Sequence, residues 1–360
     1  MNIDLSPIDR RKVKNLGEVL EMNNEVLGLM SRYLTVCPDF ITKELIEGIT
    51  GECEITLAEA YTSLLVAACG LDVENNPRDR YLSTAYLRSG IRRLDPQEYR
   101  MNPYYRQIRI PEAHFGNWKL TIEKYKPYEA FVCDDIRTDE ELKEIPQIGF
   151  FDTEFSFPAV MEDGQEWMAI KPNEIETMRQ PIARAAGQVV AFGLGMGYYA
   201  FMVSEKPEVK TLTIVERDEN VIALFREHIL PQFPKKEKID IVRQDAFEFA
   251  TNCMSDGYYD HAFVDLWHDV SDGYPLYKQM KALEKNSPNT LFSYWIEDSL
   301  LSHLRWELFH RMSDLLSATA PAGEPVILRP GIYLRAVCRL SSQSVFTEAG
   351  RDRAFIIDIE

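Results

Sequence analysis

No apolar run in the chain approaches the roughly 20 residues of a membrane-spanning helix. Its opening stretch, MNIDLSPIDRRKVKN, lacks the apolar centre of a signal peptide. The expectation is a cytoplasmic protein with no membrane contact. Positive charge is also scarce: 40 Lys and Arg stand against 57 Asp and Glu, a net charge of −17. Nucleic-acid backbones are held by clustered basic surface, so a nucleic acid is not the expected partner, and small neutral or cationic ligands suit this balance better. Six cysteines, Cys37, Cys53, Cys69, Cys133, Cys253 and Cys338, are scattered without a Cys-x-x-Cys pair. Neither a zinc site nor a disulfide framework is expected from them, and no metal. Internal repeats and low-complexity tracts are absent too. What remains, 360 residues with 45% hydrophobic and 11% aromatic content, suffices for two domains with buried cores.

The most informative stretch is VVAFGLGMGYY, Val189 to Tyr199. Val189 to Phe192 form a short apolar run of the kind that fills a parallel strand buried on both faces. Gly193, Gly195 and Gly197 then allow positive φ and let a ligand approach backbone that a Cβ would block. A helix follows, and Thr211 to Val215 read as the next strand, with Glu216 at its carboxyl end and Arg217 beyond. A carboxylate there can accept ribose hydroxyls from an adenosine-type cofactor. Spacing separates the cofactor classes. The dinucleotide fingerprint needs its third glycine three residues after the second, where this chain has Tyr198. Alternating glycines instead suit S-adenosylmethionine (SAM). Ile239 to Val242, ending at Asp245-Ala246, and His261 to Val264, ending at Asp265, read as the third and fourth strands. TLFSYWIED supplies the fifth, so Gly193 to Gly197, Glu216, Asp245 and Asp265 fall at carboxyl ends of strands, where open α/β sheets bind ligands.

The runs IVERDENVIALFREHILPQF, IDIVRQDAFEFA and YYDHAFVDLW resemble the spermidine synthase-like branch of the class I SAM-dependent methyltransferase superfamily. The resemblance covers about Phe155 to Leu316 and includes FSFPAVMEDGQEWMAI, which reads as a hairpin turning at Asp163-Gly164, as that branch has before its first Rossmann strand. It implies that Glu216 holds the ribose and that Asp245-Ala246 meets the adenine. Two departures bear on the reaction. Where spermidine synthases carry an aspartate that helps hold the aminopropyl amine, this chain has Met196. Where they read Asp-Ser-Ser-Asp-Pro, this chain reads Asp265, Leu266, Trp267, His268, Asp269. Aminopropyl transfer needs acids to orient amines, so methyl transfer to a small molecule becomes the leading expectation, with Asp265, His268 and Asp269 as catalytic candidates. His268 suits a base because imidazole titrates near neutrality, and its alternative is packing in a loop. Trp267, Tyr294 and Trp295 would wall a pocket near the sulfonium or else serve the core. Glu297 and Asp298 would meet a polar substrate, or Asp298 would cap the next helix. The alternatives to a methyltransferase are an aminopropyltransferase using decarboxylated SAM and a nucleoside-binding protein without catalysis.

The first 140 residues differ in texture. Helix starts are expected at Ser6-Pro7 with Asp9, Thr56 with Glu59, and Asp95-Pro96 with Glu98. Leu16, Val19, Leu20, Val26, Leu27 and Met30 recur at helical spacing, so the first helix is long and one-sided. Further helices are expected over 39–48, 57–70 and 78–94. The expected fold is therefore α/β: an all-α domain over 1–140 acting as lid and homodimer contact, with an ordered aromatic connector over 101–135, and a Rossmann-like domain over 141–360. The latter has its hairpin at 153–170, its core at 187–316 and closing strands over 325–360. His228 and His310 read as surface or packing residues, and His114 stands in an aromatic loop without a role.

Overall fold

The structure, a computed structural model, describes residues 6–317 apart from 53, 116, 117, 163 and 255. The closing strands expected over 325–360 lie outside the described residues, as do Cys53, Cys338 and the hairpin residue Asp163. The chain divides into two compact units, one comprising residues up to Arg92, Ile136–Gln147 and residues from Asp298 on, the other Arg93–Asp135 and Ile148–Glu297.

The first unit is helical because its caps and apolar stripes agree. Helix α1 (Pro7–Val36) starts with Pro7 at its first position, and Ser6 Oγ accepts the Asp9 N–H at 3.1 Å. Its stripe of Leu16, Leu20, Val26, Met30 and Tyr33 is buried. Helix α2 spans Lys43–Glu52 and α3 spans Leu57–Ala68, whose capping box is complete: Thr56 Oγ1 accepts the Glu59 N–H at 3.2 Å and Glu59 Oε2 accepts the Thr56 N–H at 2.9 Å. Leu16 and Leu20 join Leu142, Leu308 and Met312 in one apolar cluster. Beside it lies a buried ion pair. Glu144 (0% exposed) accepts from Arg305 (1% exposed) at 2.9 and 2.6 Å and from Ser302 Oγ at 2.7 Å. Asn23 ties the same turn to α1, donating to the Leu142 carbonyl at 2.8 Å and accepting the Glu144 N–H at 3.2 Å.

The second unit holds two sheets. Strands β1 (Ala113–Phe115), β2 (Trp118–Tyr125), β3 (Phe155–Glu162) and β4 (Gln165–Ala169) form an antiparallel sheet in that order. The hairpin expected from sequence is β3–β4. The aromatic stretch expected as a connector supplies β1 and β2, because β2 pairs with β3 along its whole length, Trp118 opposite Glu162 through Tyr125 opposite Phe155. A long-range ladder of this kind leaves no local trace in sequence. After helix α4 (Pro172–Thr177) come the parallel strands β5 (Gly187–Phe192), β6 (Val209–Glu216), β7 (Ile239–Arg243), β8 (His261–Val264) and β9 (Leu291–Tyr294), in the sheet order β7-β6-β5-β8-β9. The order reverses at β5, and the carboxyl ends of β5 and β8 flank the reversal, the position where doubly wound sheets open a crevice. Among the described residues no helix is long and apolar enough to cross a membrane.

Removing one member of a buried ion pair leaves the other uncompensated. Glu144→Ala is therefore expected to lower the unfolding free energy by about 3–5 kcal/mol, read by urea denaturation, and Glu144→Leu combined with Arg305→Met should recover most of that loss.

Candidate functional site

At the carboxyl end of β5 the chain turns through Gly193, at φ +98°, and Gly195, at φ +52°. A Cβ on Gly193 would collide with the Asp265 carbonyl, and one on Gly195 with the Met168 thioether from β4. The turn is thus pressed between the end of β8 and the antiparallel sheet. The close approach follows from the ladder: Val189–Phe192 pairs with His261–Val264, and Asp265 N–H continues it to the Phe192 carbonyl at 2.9 Å. Glu216 fastens the other side. Its Oε2 accepts the Leu194 N–H at 3.2 Å and its Oε1 the Asp218 N–H at 2.8 Å. Each oxygen keeps a second lone pair for a ligand.

These residues line a cavity of about 370 Å³, within the roughly 300–1,000 Å³ of small-molecule sites. Its walls include Gly193, Gly195, Glu216, Arg217, Asp245, Ala246, Asp265, Trp267 and His268, along with Trp118, Trp167, Met168 and Gln244. Asp245 Oδ1 caps helix α6 (Ala246–Asn252), accepting from Phe247 and Glu248 N–H at 2.9 and 3.0 Å. Trp267 is buried, and its Nε1 has no hydrogen-bond partner among the described residues. Gly273, on helix α7 (Val270–Leu283), gives that indole room, since a Cβ there would press on the ring. His268 is exposed at the rim, its Nδ1 3.1 Å from Asp272 Oδ2 and its ring edge-on to Trp167 at 4.0 Å between centroids.

Several sequence candidates stand elsewhere. Gly197 caps helix α5 (Tyr198–Ser204) and does not line the cavity. Asp269 caps α7, its Oδ1 accepting from Ser271 N–H at 2.7 Å and Ser271 Oγ–H at 2.6 Å, and it too is absent from the wall. Tyr294 donates to Glu284 at 2.7 Å and Trp295 Nε1 to Thr177 Oγ1 at 3.0 Å, both buried away from the cavity. Glu297 accepts from Tyr277 at 2.9 Å, and Asp298 belongs to the helical unit.

Sequence reasoning passed over Glu174 and Met168. Glu174 reads as an ordinary first-turn acid of α4, behind Pro172. In the structure it lines a recess of about 20 Å³ beside the glycine turn, together with Asp265, Met168, Met196 and Phe263. Met168 borders both the recess and the larger cavity, and its sulfur accepts the Met196 N–H at 3.0 Å. Burial raises the Glu174 carboxyl to about 8, with Asp265 adding to the effect. Burial likewise raises Asp265 to about 7, with a further contribution from Glu216. Asp265 is half-buried and borders both the cavity and the recess. The two acids titrate as a pair holding protons that the unfolded chain would release.

Residues 139–284 match the family model for the spermine/spermidine synthase domain. This stretch, about two-fifths of the chain, is similar to that domain. Comparison with curated proteins gives no match. Among solved structures, a spermidine synthase from Thermotoga maritima is 15% identical over 39% of this chain and 53% of its own, with a TM-score of 0.29. A spermidine synthase in complex with the transition-state analogue AdoDATO is 15% identical over 39% and 52%, with a TM-score of 0.30. A putative methylase from Haemophilus influenzae is 18% identical over 29% and 56%, with a TM-score of 0.24. The chain spans roughly half to three-fifths of the length of such structures. The matched stretch takes in the β3–β4 hairpin, the glycine turn and the parallel strands β5 to β8.

Because both carboxyls are raised in the folded state, their contribution to stability is complete below the ordinary values of 3.8 and 4.5 and is lost as pH rises through about 7 and about 8. The melting temperature of the ligand-free protein should fall across that window, and Glu174→Gln should flatten the fall. An unchanged slope in the variant would mean that Glu174 is ionised in the folded chain.

Proposed function

We propose that this chain transfers a methyl group from SAM to a small-molecule acceptor, by in-line displacement in the cavity at the carboxyl ends of β5, β6 and β8. The observation that carries the reading is the Glu216 carboxylate, locked beside a glycine turn that has no room for a Cβ and facing a cavity of nucleoside size. SAM fits the donor set. Glu216 would hold the ribose, and Asp245 keeps its Oδ2 for the adenine while Oδ1 caps α6. When bound, SAM supplies a methyl carbon made electrophilic by positively charged sulfur. The protein then has to align the acceptor and take its proton. His268 at the rim, with Nδ1 oriented by Asp272, leaves Nε2 for that proton. Methyl transfer is supported over aminopropyl transfer by Met196, which is buried and apolar, and by Asp269, which is engaged in the α7 cap.

A second reading, aminopropyl transfer from decarboxylated SAM, is favoured by one observation: two carboxyls, Glu174 and Asp265, line the recess and no Lys or Arg does. Its donor lacks the carboxylate that such a recess would repel.

Calorimetric titration of the ligand-freed protein with SAM, decarboxylated SAM and NAD tests both. SAM should bind and NAD should not, and Glu216→Ala should weaken SAM by about 10- to 100-fold, the equivalent of one charged hydrogen bond. Preference for decarboxylated SAM would install the second reading, and binding of neither sulfonium would remove both. With an acceptor in hand, His268→Ala is expected to lower kcat by about 10²–10⁴-fold while SAM affinity stays unchanged.

A further inference from the structure

Strand β4 carries one residue more than its partner can match. Across the β3–β4 ladder Val160 stands opposite Met168 and Met161 opposite Glu166, so Trp167 is the extra residue of a β-bulge. Regular alternation would send Trp167 and Met168 to opposite faces of the sheet, yet both line the cavity, beside Val160 from β3 and Trp118 from β2. The bulge re-aims an indole into the site. Trp167 is also the most exposed of the five tryptophans, at 39%, whereas Trp118, edge-on to it at 5.1 Å between centroids, is buried. Its ring keeps surface for a ligand. His268 stands edge-on to the same indole at 4.0 Å, so the imidazole that takes the acceptor's proton borders the surface on which the acceptor would lie. Among the described residues on the cavity wall, Arg217 is the one Lys or Arg against Glu162, Glu216, Asp218, Asp245 and Asp265. An acceptor bearing a carboxylate or phosphate is disfavoured there.

We propose that the methyl acceptor is an uncharged planar phenol whose ring packs on Trp167 and whose hydroxyl is directed to Nε2 of His268. The inference rests on the methyl-transfer reading above and names its substrate class, and it makes Trp167 the residue that selects the acceptor. Stacked or edge-on aromatic pairs contribute beyond simple area burial, a gain that an aliphatic alcohol does not have. A phenol also loses its proton at about pH 10, close enough to an imidazole for transfer in concert with the displacement. In the step the phenol oxygen forms a bond to the methyl carbon as the carbon–sulfur bond breaks. The bonding pair stays on sulfur, which becomes a neutral thioether, and the hydroxyl proton passes to His268 Nε2 and then to solvent. An alkylammonium on the same indole would face like charge once that imidazole is protonated.

The test is calorimetry with 2-naphthol, 3-hydroxy-2-naphthoate, cyclohexanol and putrescine on protein saturated with S-adenosylhomocysteine, the demethylated and unreactive form of the donor. Wild type would be compared with Trp167→Phe and Trp167→Ala. The expected result is tightest binding of 2-naphthol, a loss of about 10-fold for it in Trp167→Ala that Trp167→Phe largely restores, and S-adenosylhomocysteine affinity unchanged in both variants. That unchanged affinity also reports that the variants are folded. With SAM in place of its product, labelled methyl should appear on the naphthol oxygen. Preference for any of the other three probes, equal 2-naphthol affinity in wild type and Trp167→Ala, or 2-naphthol bound but left unmethylated would overturn the proposal while leaving the donor site in place. Failure of wild type to bind S-adenosylhomocysteine and SAM would instead remove the donor reading itself.

Discussion

The contact on which the site depends is the approach of the glycine turn to the end of β8. Parallel pairing of β5 with β8 sets the two carboxyl ends side by side, and the absent Cβ of Gly193 lets the Asp265 carbonyl lie against the turn. A parallel sheet with its order reversing at β5 opens there because the crossovers leave that edge in opposite directions. Glu216 closes the arrangement from β6 by accepting the Leu194 N–H, so three strands and one turn hold a single geometry. Cavity shape, the position of Asp265 and the recess beside it all follow from this crowding.

The acids around the cavity divide by what they already satisfy. Asp245 and Asp269 cap helices, and Glu216 accepts two backbone N–H groups. Such carboxylates are stabilised locally and need no ligand to remain charged. Glu174 and Asp265 have no such donors, and burial holds them partly protonated. A net charge of −17 could suggest a uniformly acidic surface awaiting cations, yet Glu174 is buried and Asp265 half-buried.

Much of the fold was legible in the sequence. The five parallel strands, the hairpin before them and the caps at Ser6, Thr56 and Asp95 rest on short-range rules of apolar runs, turn residues and cap chemistry. The places of Gly193, Gly195, Glu216, Asp245 and Asp265 just beyond or at the carboxyl ends of strands were legible for the same reason, since the end of a strand is a local feature. The pairing of β2 with β3 was not, because a ladder between residues 30 or more apart is decided by packing of both faces. Asp269 looked like a site residue by position, and only its hydrogen bonds to Ser271 assign it to the cap.

Sequence alone therefore determined which segments become strands and helices and which residues stand at strand ends, because those properties depend on neighbours along the chain. Tertiary structure alone decided what each side chain faces. Glu174 in α4 and Met168 in β4 reach the glycine turn only because the antiparallel sheet and α4 pack over it, and Tyr294 and Trp295, one strand end away, turn into the core. Position along a strand follows from chain-local chemistry, whereas direction and burial follow from contacts between segments that are distant in sequence.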